Sequence, residues 1–394
     1  RLGVSLKPKI GPDGKPSPIQ VVGSTLVKTS RSAKHLREQL KLQPDSAEVW
    51  NNYGVFLEDR RQFAEAMAAY ERAIVLDPSY AWAISNLALQ YWLRKAEIAE
   101  ADRLYSEAVR VAGPSALPRI LSDFAVFCDE GLADTKRALE LHRRALDEGD
   151  QPLVKARLAY FLMKHGQELE QASSLFKAAL TEQPDDPLIL RIAGEADWFY
   201  KGDREAARTK LHKACTMNPR DHHTWRLAGD VSLVLGDAGS AAYYYRKAMK
   251  RGASGWEIHG SYGLALLLNR KPDGALRHLS EARRSAPDDA GLLTNTAAAL
   301  WAVRRNHEAV ALMRQVVSQR PAPEIEIEVL ALLRLAAPPA RQEMIRLRDL
   351  LSGGHRGEGS TVRTMVWGKP SIDRSIAFGL ADIIEGKAPL PPNL

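Results

Sequence analysis

Only two cysteines occur in the 394 residues, Cys128 and Cys215, and they stand 87 positions apart. That excludes a disulfide framework and any zinc or redox motif built on closely spaced cysteines. Both read as small buried side chains inside helices, as suits a protein of the reducing cytoplasm. No run of eighteen apolar residues exists, so a membrane-spanning helix is not expected. The start, Arg1-Leu2-Gly3, has neither a methionine nor the apolar core of a signal peptide, and points to a fragment or processed piece of a longer protein. Phosphate-cradling glycine loops, nucleophile elbows and zinc motifs are absent too. His222 and His223 are adjacent, and neighbours on a helix do not face each other. Gly353-Gly354-His355 falls in a glycine-rich stretch with no rigid shell to hold a reacting group. No catalytic site, metal or cofactor is expected.

What the chain has is a period. Ala66, Ala101, Ala138, Ala172, Ala207, Ala241, Ala275 and Ala309 follow one another at intervals of 35, 37, 34, 35, 34, 34 and 34 residues. Seven residues after each stands Ala73, Ala108, Ala145, Ala179, Ala214, Ala248 or Ala282, with Val316 in the last place. Four residues after come mostly bulky groups: Tyr70, Tyr105, Phe176, Leu211, Tyr245, Leu279 and Met313, with His142 departing. Twelve or thirteen residues before lies Gly54, Ala88, Ala125, Ala159, Gly194, Gly229, Gly263 or Ala297. Small groups at fixed helical spacing let backbones approach, and the bulky group fills the gap beside them. A period near 34 predicts a stack of helical hairpins, each able to bury its face only against its neighbours. Prolines such as Pro78, Pro184, Pro219, Pro287 and Pro321 stop one hairpin before the next. Ser46, Asp186 and Asp289 follow such joints and are placed to cap the next helix.

The first repeat, with Trp50, Tyr53, Gly54, Leu57, Ala66, Tyr70, Ala73 and Pro78, resembles the tetratricopeptide repeat. Trp225, Gly229, Ala241, Tyr245 and Ala248 repeat the pattern. The resemblance covers about residues 47–321 and implies an all-α, right-handed superhelical solenoid of tetratricopeptide-like hairpins, with a concave groove for a peptide, a helix or a partner domain. Around it, residues 1–30 read as a basic, loop-rich arm and 31–46 as an N-terminal capping helix. Residues 322–351 read as a C-terminal capping pair, and 352–394 as a flexible linker at 352–360 followed by a short amphipathic helix. Ile372, Ile376, Leu380 and Ile383 would share the buried face of that helix. Ile19-Gln20-Val21-Val22 reads as a short strand left over from a preceding domain.

The net charge of +7 is carried by residues 1–42, which hold nine Lys or Arg against Asp13 and Glu38. No aromatic residue interleaves them, which disfavours nucleic-acid binding. Within the repeats, the family pattern places the second, fifth, ninth and twelfth positions of each first helix on the groove. Counting from the small residue as position eight gives Trp82, Trp92, Tyr160, Arg191, Trp198, His223, Arg226 and Trp301 as the candidate partner-binding residues. Tryptophan and arginine dominate binding hot spots. Arg191 and Arg226 can pair with Glu195 and Asp230 four residues on, or hold an acidic peptide. The Lys- and Asn-based clamp for chaperone tails is not matched: only Asn86 and, loosely, Arg119 agree, with Val55 and Asp123 departing. A continuous asparagine ladder through Asn52, Asn86 and Asn295 is broken by Arg157, Ile192, Leu227 and Ser261.

The expected function is that of a protein-interaction scaffold. One alternative is a regulatory arm of a larger signalling or effector enzyme whose catalytic domain precedes residue 1. A nucleic-acid-binding solenoid is a second.

Overall fold

The computed structural model describes residues 33–337, 340–357, 359–368 and 372–391. The basic arm and the strand expected at 19–22 lie outside them. Among the described residues, every regular element is helical. The chain divides into two compact units at Arg220/Asp221.

The N-terminal unit opens on a lone helix, Ala33–Leu42, and continues with five hairpins. Their first helices are Ala47–Glu58, Ala81–Gln90, Leu117–Glu130, Pro152–Lys164 and Pro187–Ala196. The second helices are Phe63–Leu76, Ile98–Val111, Thr135–Glu148, Leu169–Glu182 and Arg204–Met217. The other unit stacks His222–Val234 with Ala238–Met249, Trp256–Leu268 with Pro272–Ser285, Ala290–Ala302 with Asn306–Ser318, and Pro323–Ala336 with Arg341–Ser352.

The eight marker alanines are all fully buried. Their role is steric, as the close approach at Gly54 illustrates. A Cβ built on Gly54 would stand 2.5 Å from the Tyr70 ring, and one on Gly229 would stand 2.7 Å from Tyr245. Helix starts follow the joints: Ser46 accepts from the Val49 amide, Asp186 from Leu188 and Ile189, and Asp289 from Leu292. These side chains satisfy amides that would otherwise lack an intrahelical acceptor.

Two first helices end in a five-residue π turn, Tyr91–Lys95 and Asp197–Lys201, each closed by a left-handed residue, Ala96 and Gly202. In both repeats the small residue and the marker alanine are thirteen apart rather than twelve. The same thirteen-residue spacing, at Ala125 to Ala138 and Ala159 to Ala172, is met without a π turn.

After Ser352 the C-terminal unit continues through two single-turn helices, Ser360–Arg363 and Met365–Gly368, to a last helix, Arg374–Ile384. This differs from the sequence expectation in two ways. Asp373 caps the last helix through Ser375, and the buried face is Ala377, Leu380, Ala381 and Ile384, while Ile376 is 60% exposed. Two alanines let the helix lie close to its support, where a line of isoleucines would hold it off. The stretch read as a flexible linker is tied down, because the Gly357 amide donates to the Ile384 carbonyl and the Gly359 amide to Glu385, both at 2.9 Å. Arg363 grips Glu385 and Asp382, and holds the Glu385 carboxyl down to about 2.

Candidate functional site

A solenoid of hairpins offers a partner the face lined by its first helices. In the N-terminal unit that face carries buried polar side chains that join adjacent repeats. Asn86 Nδ2 donates to Asn51 Oδ1 at 2.9 Å, and Arg157 Nη1 to Asp123 Oδ1 at 2.5 Å. Arg119 Nε lies 3.3 Å from the same Asp123 oxygen. Further along, Lys164 Nζ reaches Asp129 at 2.7 Å and His165 meets it at 2.8 Å. These partners lie 34 to 36 residues apart, at or within two places of equivalent positions in neighbouring repeats, so the bonds tie each repeat to the next. Beside them, burial raises the Glu130 carboxyl to about 8 despite Lys164 at 3.6 Å.

The eight candidate residues separate into two groups. Trp92 is buried with its ring edge-on to Phe127 at 5.4 Å, and Tyr160 is buried against Tyr200 at 5.5 Å. Arg191 is 3% exposed and its Nη1 lies 3.4 Å from Glu195. Trp301 is 1% exposed, and its indole nitrogen donates to the Met365 carbonyl at 2.8 Å. These four do not line an open groove. Trp92 and Trp198 hold the same second place in a π turn, so their different burial comes from their surroundings, Trp92 being covered by Phe127 of the next repeat. Trp301 is covered by the C-terminal segment, which packs on the first helices Ala290–Ala302 and Pro323–Ala336.

Trp82, Trp198, His223 and Arg226 are half-buried. Trp198 stacks on Phe199 with ring centres 4.4 Å apart. Arg226 Nη1 donates to Asp230 at 2.7 Å, and the other oxygen of Asp230 accepts from the Tyr245 hydroxyl. Both arginines therefore form the ion pairs that their spacing allows.

One surface escaped position counting. Trp50, Tyr53 and Phe56 stand at steps of three along one helix, with Tyr53 stacked on Phe56 at 6.1 Å and Arg60 over the Phe56 ring at 3.7 Å. Trp50 and Tyr53 line an open hollow of about 510 Å³ with Gln62, Glu65 and Arg72. The three-residue spacing of the aromatics was the available signal.

Helical hairpins of this length, stacked through small residues, define the class of α-helical repeat proteins. A model of the tetratricopeptide repeat matches residues 28–81, 199–255 and 261–324. These stretches make the chain a tetratricopeptide-repeat protein, and the fold in general serves as a protein-interaction scaffold. The tetratricopeptide repeat-containing protein trd-1 of Caenorhabditis elegans is 26% identical over 154 residues, 38% of this chain. The match spans only 20% of that relative's length. Among solved structures, the APC/C hetero-tetramer Cut9–Hcn1 is similar over 69% of this chain and 60% of that one, at 19% identity and a TM-score of 0.46. TTC0263, a tetratricopeptide protein of Thermus thermophilus, is 25% identical over 46% of this chain and 98% of that one, with a TM-score of 0.36. No helix among the described residues is long and apolar enough to cross a membrane.

Proposed function

We propose that the chain binds a protein partner through the first-helix face of residues 33–220, with Trp82 and Trp198 as anchors. The observation that carries this reading is the burial of Trp301 beneath the chain's own C-terminal segment. The first-helix face at Ala290–Ala302 and Pro323–Ala336 is thereby occupied, whereas Trp82 and Trp198 are only half-buried. An indole combines large apolar area with one directional donor, which favours it as a contact anchor. Arg191 and Arg226 are committed to Glu195 and Asp230 and do not supply an acidic-peptide clamp. A regulatory arm of a longer chain would use the same face.

The test begins with affinity purification of the full chain and identification of what it retains. The purified partner is then titrated against Trp82→Ala, Trp198→Ala and Trp301→Phe. Each of the first two should weaken binding by about 2 kcal/mol, roughly thirtyfold, and the third should leave it unchanged. Equal affinities across the set would remove the assignment.

A further inference from the structure

Two places recur in the repeats, one four residues before the small residue of the first helix and one three residues after the marker alanine. Several repeats fill both places with apolar groups: Ile84 and Leu104, Leu121 and Leu141, Trp225 and Tyr244, Leu293 and Leu312. Trp225 and Tyr244 show the contact, with ring centres 5.9 Å apart. In the hairpin Trp256–Leu268 and Pro272–Ser285 the same two places hold His259 and His278.

Their Nδ1 atoms face each other at 3.2 Å, the ring centres are 5.2 Å apart, and the Tyr262 ring lies 4.5 Å from that of His278. Both imidazoles are half-buried. Metal–imidazole bonds are about 2.0–2.1 Å long. Two such nitrogens bound to one ion at an angle near tetrahedral therefore stand about 3.2–3.4 Å apart. The two rings already hold that separation, and they come from two helices packed into a single hairpin, so little movement is needed to admit an ion between them.

We propose that His259 and His278 form a two-histidine chelate for a late first-row divalent cation such as Cu²⁺ or Zn²⁺. Paired imidazoles select these ions over Mg²⁺ and Ca²⁺, which prefer oxygen ligands. In the metal-free hairpin one Nδ1–H donates to the other Nδ1. On binding, the donor ring moves its proton to Nε2, and both Nδ1 lone pairs turn to the ion. Among the described residues no third His, Cys, Asp or Glu joins the pair, so water completes the coordination. Arg277 and Glu281 are charged neighbours of opposite sign.

The experiment titrates Cu²⁺ alone into the full chain by calorimetry near neutral pH, and compares His259→Leu, His278→Leu and the double variant. Leucine restores the apolar pairing of other repeats, and circular dichroism checks that each variant folds. His278→Gln serves as the second variant if a leucine does not. Losing even an outer-shell partner weakens metal affinity by about 10–100-fold, so each single substitution should weaken the tightest site by at least about tenfold, with the double variant no worse. Nitrogen couplings in the Cu²⁺ spin-resonance spectrum should drop together with that site. The chain has ten histidines, and binding at the others would be unchanged by these substitutions. A tightest site that keeps its affinity in both single variants, or that is absent from the unsubstituted chain, overturns the proposal.

Discussion

The indole nitrogen of Trp301 donates to the backbone carbonyl of Met365 across 64 positions of sequence. Around that bond Val362, Met365, Leu380, Ala381 and Ile384 join the core formed by Leu293, Ile327 and Leu330. The polar contacts of the same segment, Arg363 to Glu385 and Gly359 to Glu385, are internal to it. Its attachment to the repeats is thus mostly apolar, and the Trp301 bond adds a directional contact. Trp301→Phe, which keeps most of the area and loses the donor, should cost about 1 kcal/mol. Trp301→Ala should cost about 3–5 kcal/mol through the cavity it leaves. Denaturant unfolding measures both, and hydrogen exchange at 361–365 should accelerate in the alanine variant first.

Glycine positions give a prediction with two signs. Gly54 faces a Tyr70 ring that is fully buried and fixed at its far end by a 2.9 Å bond from its hydroxyl to Glu58. Because the ring cannot retreat, Gly54→Ala should destabilise by about 1–3 kcal/mol, as overpacked cores do. Gly229 faces Tyr245, whose hydroxyl is held by Asp230 at 2.7 Å, and should behave alike. Gly379 lies inside the last helix with nothing within 4 Å of a built Cβ. There Gly→Ala should stabilise by about 0.5–1 kcal/mol, the backbone entropy it removes. Melting temperatures of the three variants provide the comparison.

The hairpin fold was legible because its determinants are local and repeated. Ala66 and Ala73, like their seven counterparts, are spaced by two helical turns and are buried wherever they occur. The inner face was only partly legible. Trp92 was counted onto the groove, but Phe127 of the next repeat covers it, and that contact is not encoded within its own repeat. The Arg191–Glu195 pair could be read from its four-residue spacing, but its burial depends on neighbouring repeats. Trp301 is hidden by a segment more than sixty residues away, and no local pattern encodes that. The last helix was placed closely: Leu380 of its expected face is buried and Ile372 and Ile383 pack partly on the core, but Ile376 is exposed and Ala377, Ala381 and Ile384 were missed.

Asp123 stands between two guanidinium groups, with Arg157 fully buried on one side and Arg119 on the other. Burial lowers the Arg157 pKa to about 10, with Arg119 adding to the effect and Asp123 opposing it. Asp123→Ala leaves the two cations facing each other without the carboxylate between them. Such a change should cost about 3–5 kcal/mol. Replacing both partners, Asp123→Leu with Arg157→Met, should recover part of that loss, because only Arg119, the less deeply buried of the two guanidiniums, keeps its charge there. Urea unfolding of the single and double variants decides it. A double variant no more stable than Asp123→Ala would mean that the pair contributes net stability beyond its own desolvation.

Glu130 gives the stability of the N-terminal unit a pH dependence of defined sign. Burial raises its carboxyl from 4.5 to about 8, with Lys164 opposing. Between those values the folded chain keeps a proton that the unfolded chain has released, so raising the pH favours unfolding. The group's contribution is complete below 4.5, declines through the interval and is constant above about 8. Neighbouring Asp129 is shifted the other way: burial raises it, but His165 and Lys164 prevail and hold it below 3.8, outside this window. Glu130→Gln keeps the shape and cannot ionise. It should match the unsubstituted chain at about pH 5 and exceed it in melting temperature at about pH 8.5. A variant that is equally destabilised at both values would mean that the carboxylate's pairing with Lys164 outweighs the cost of burying it.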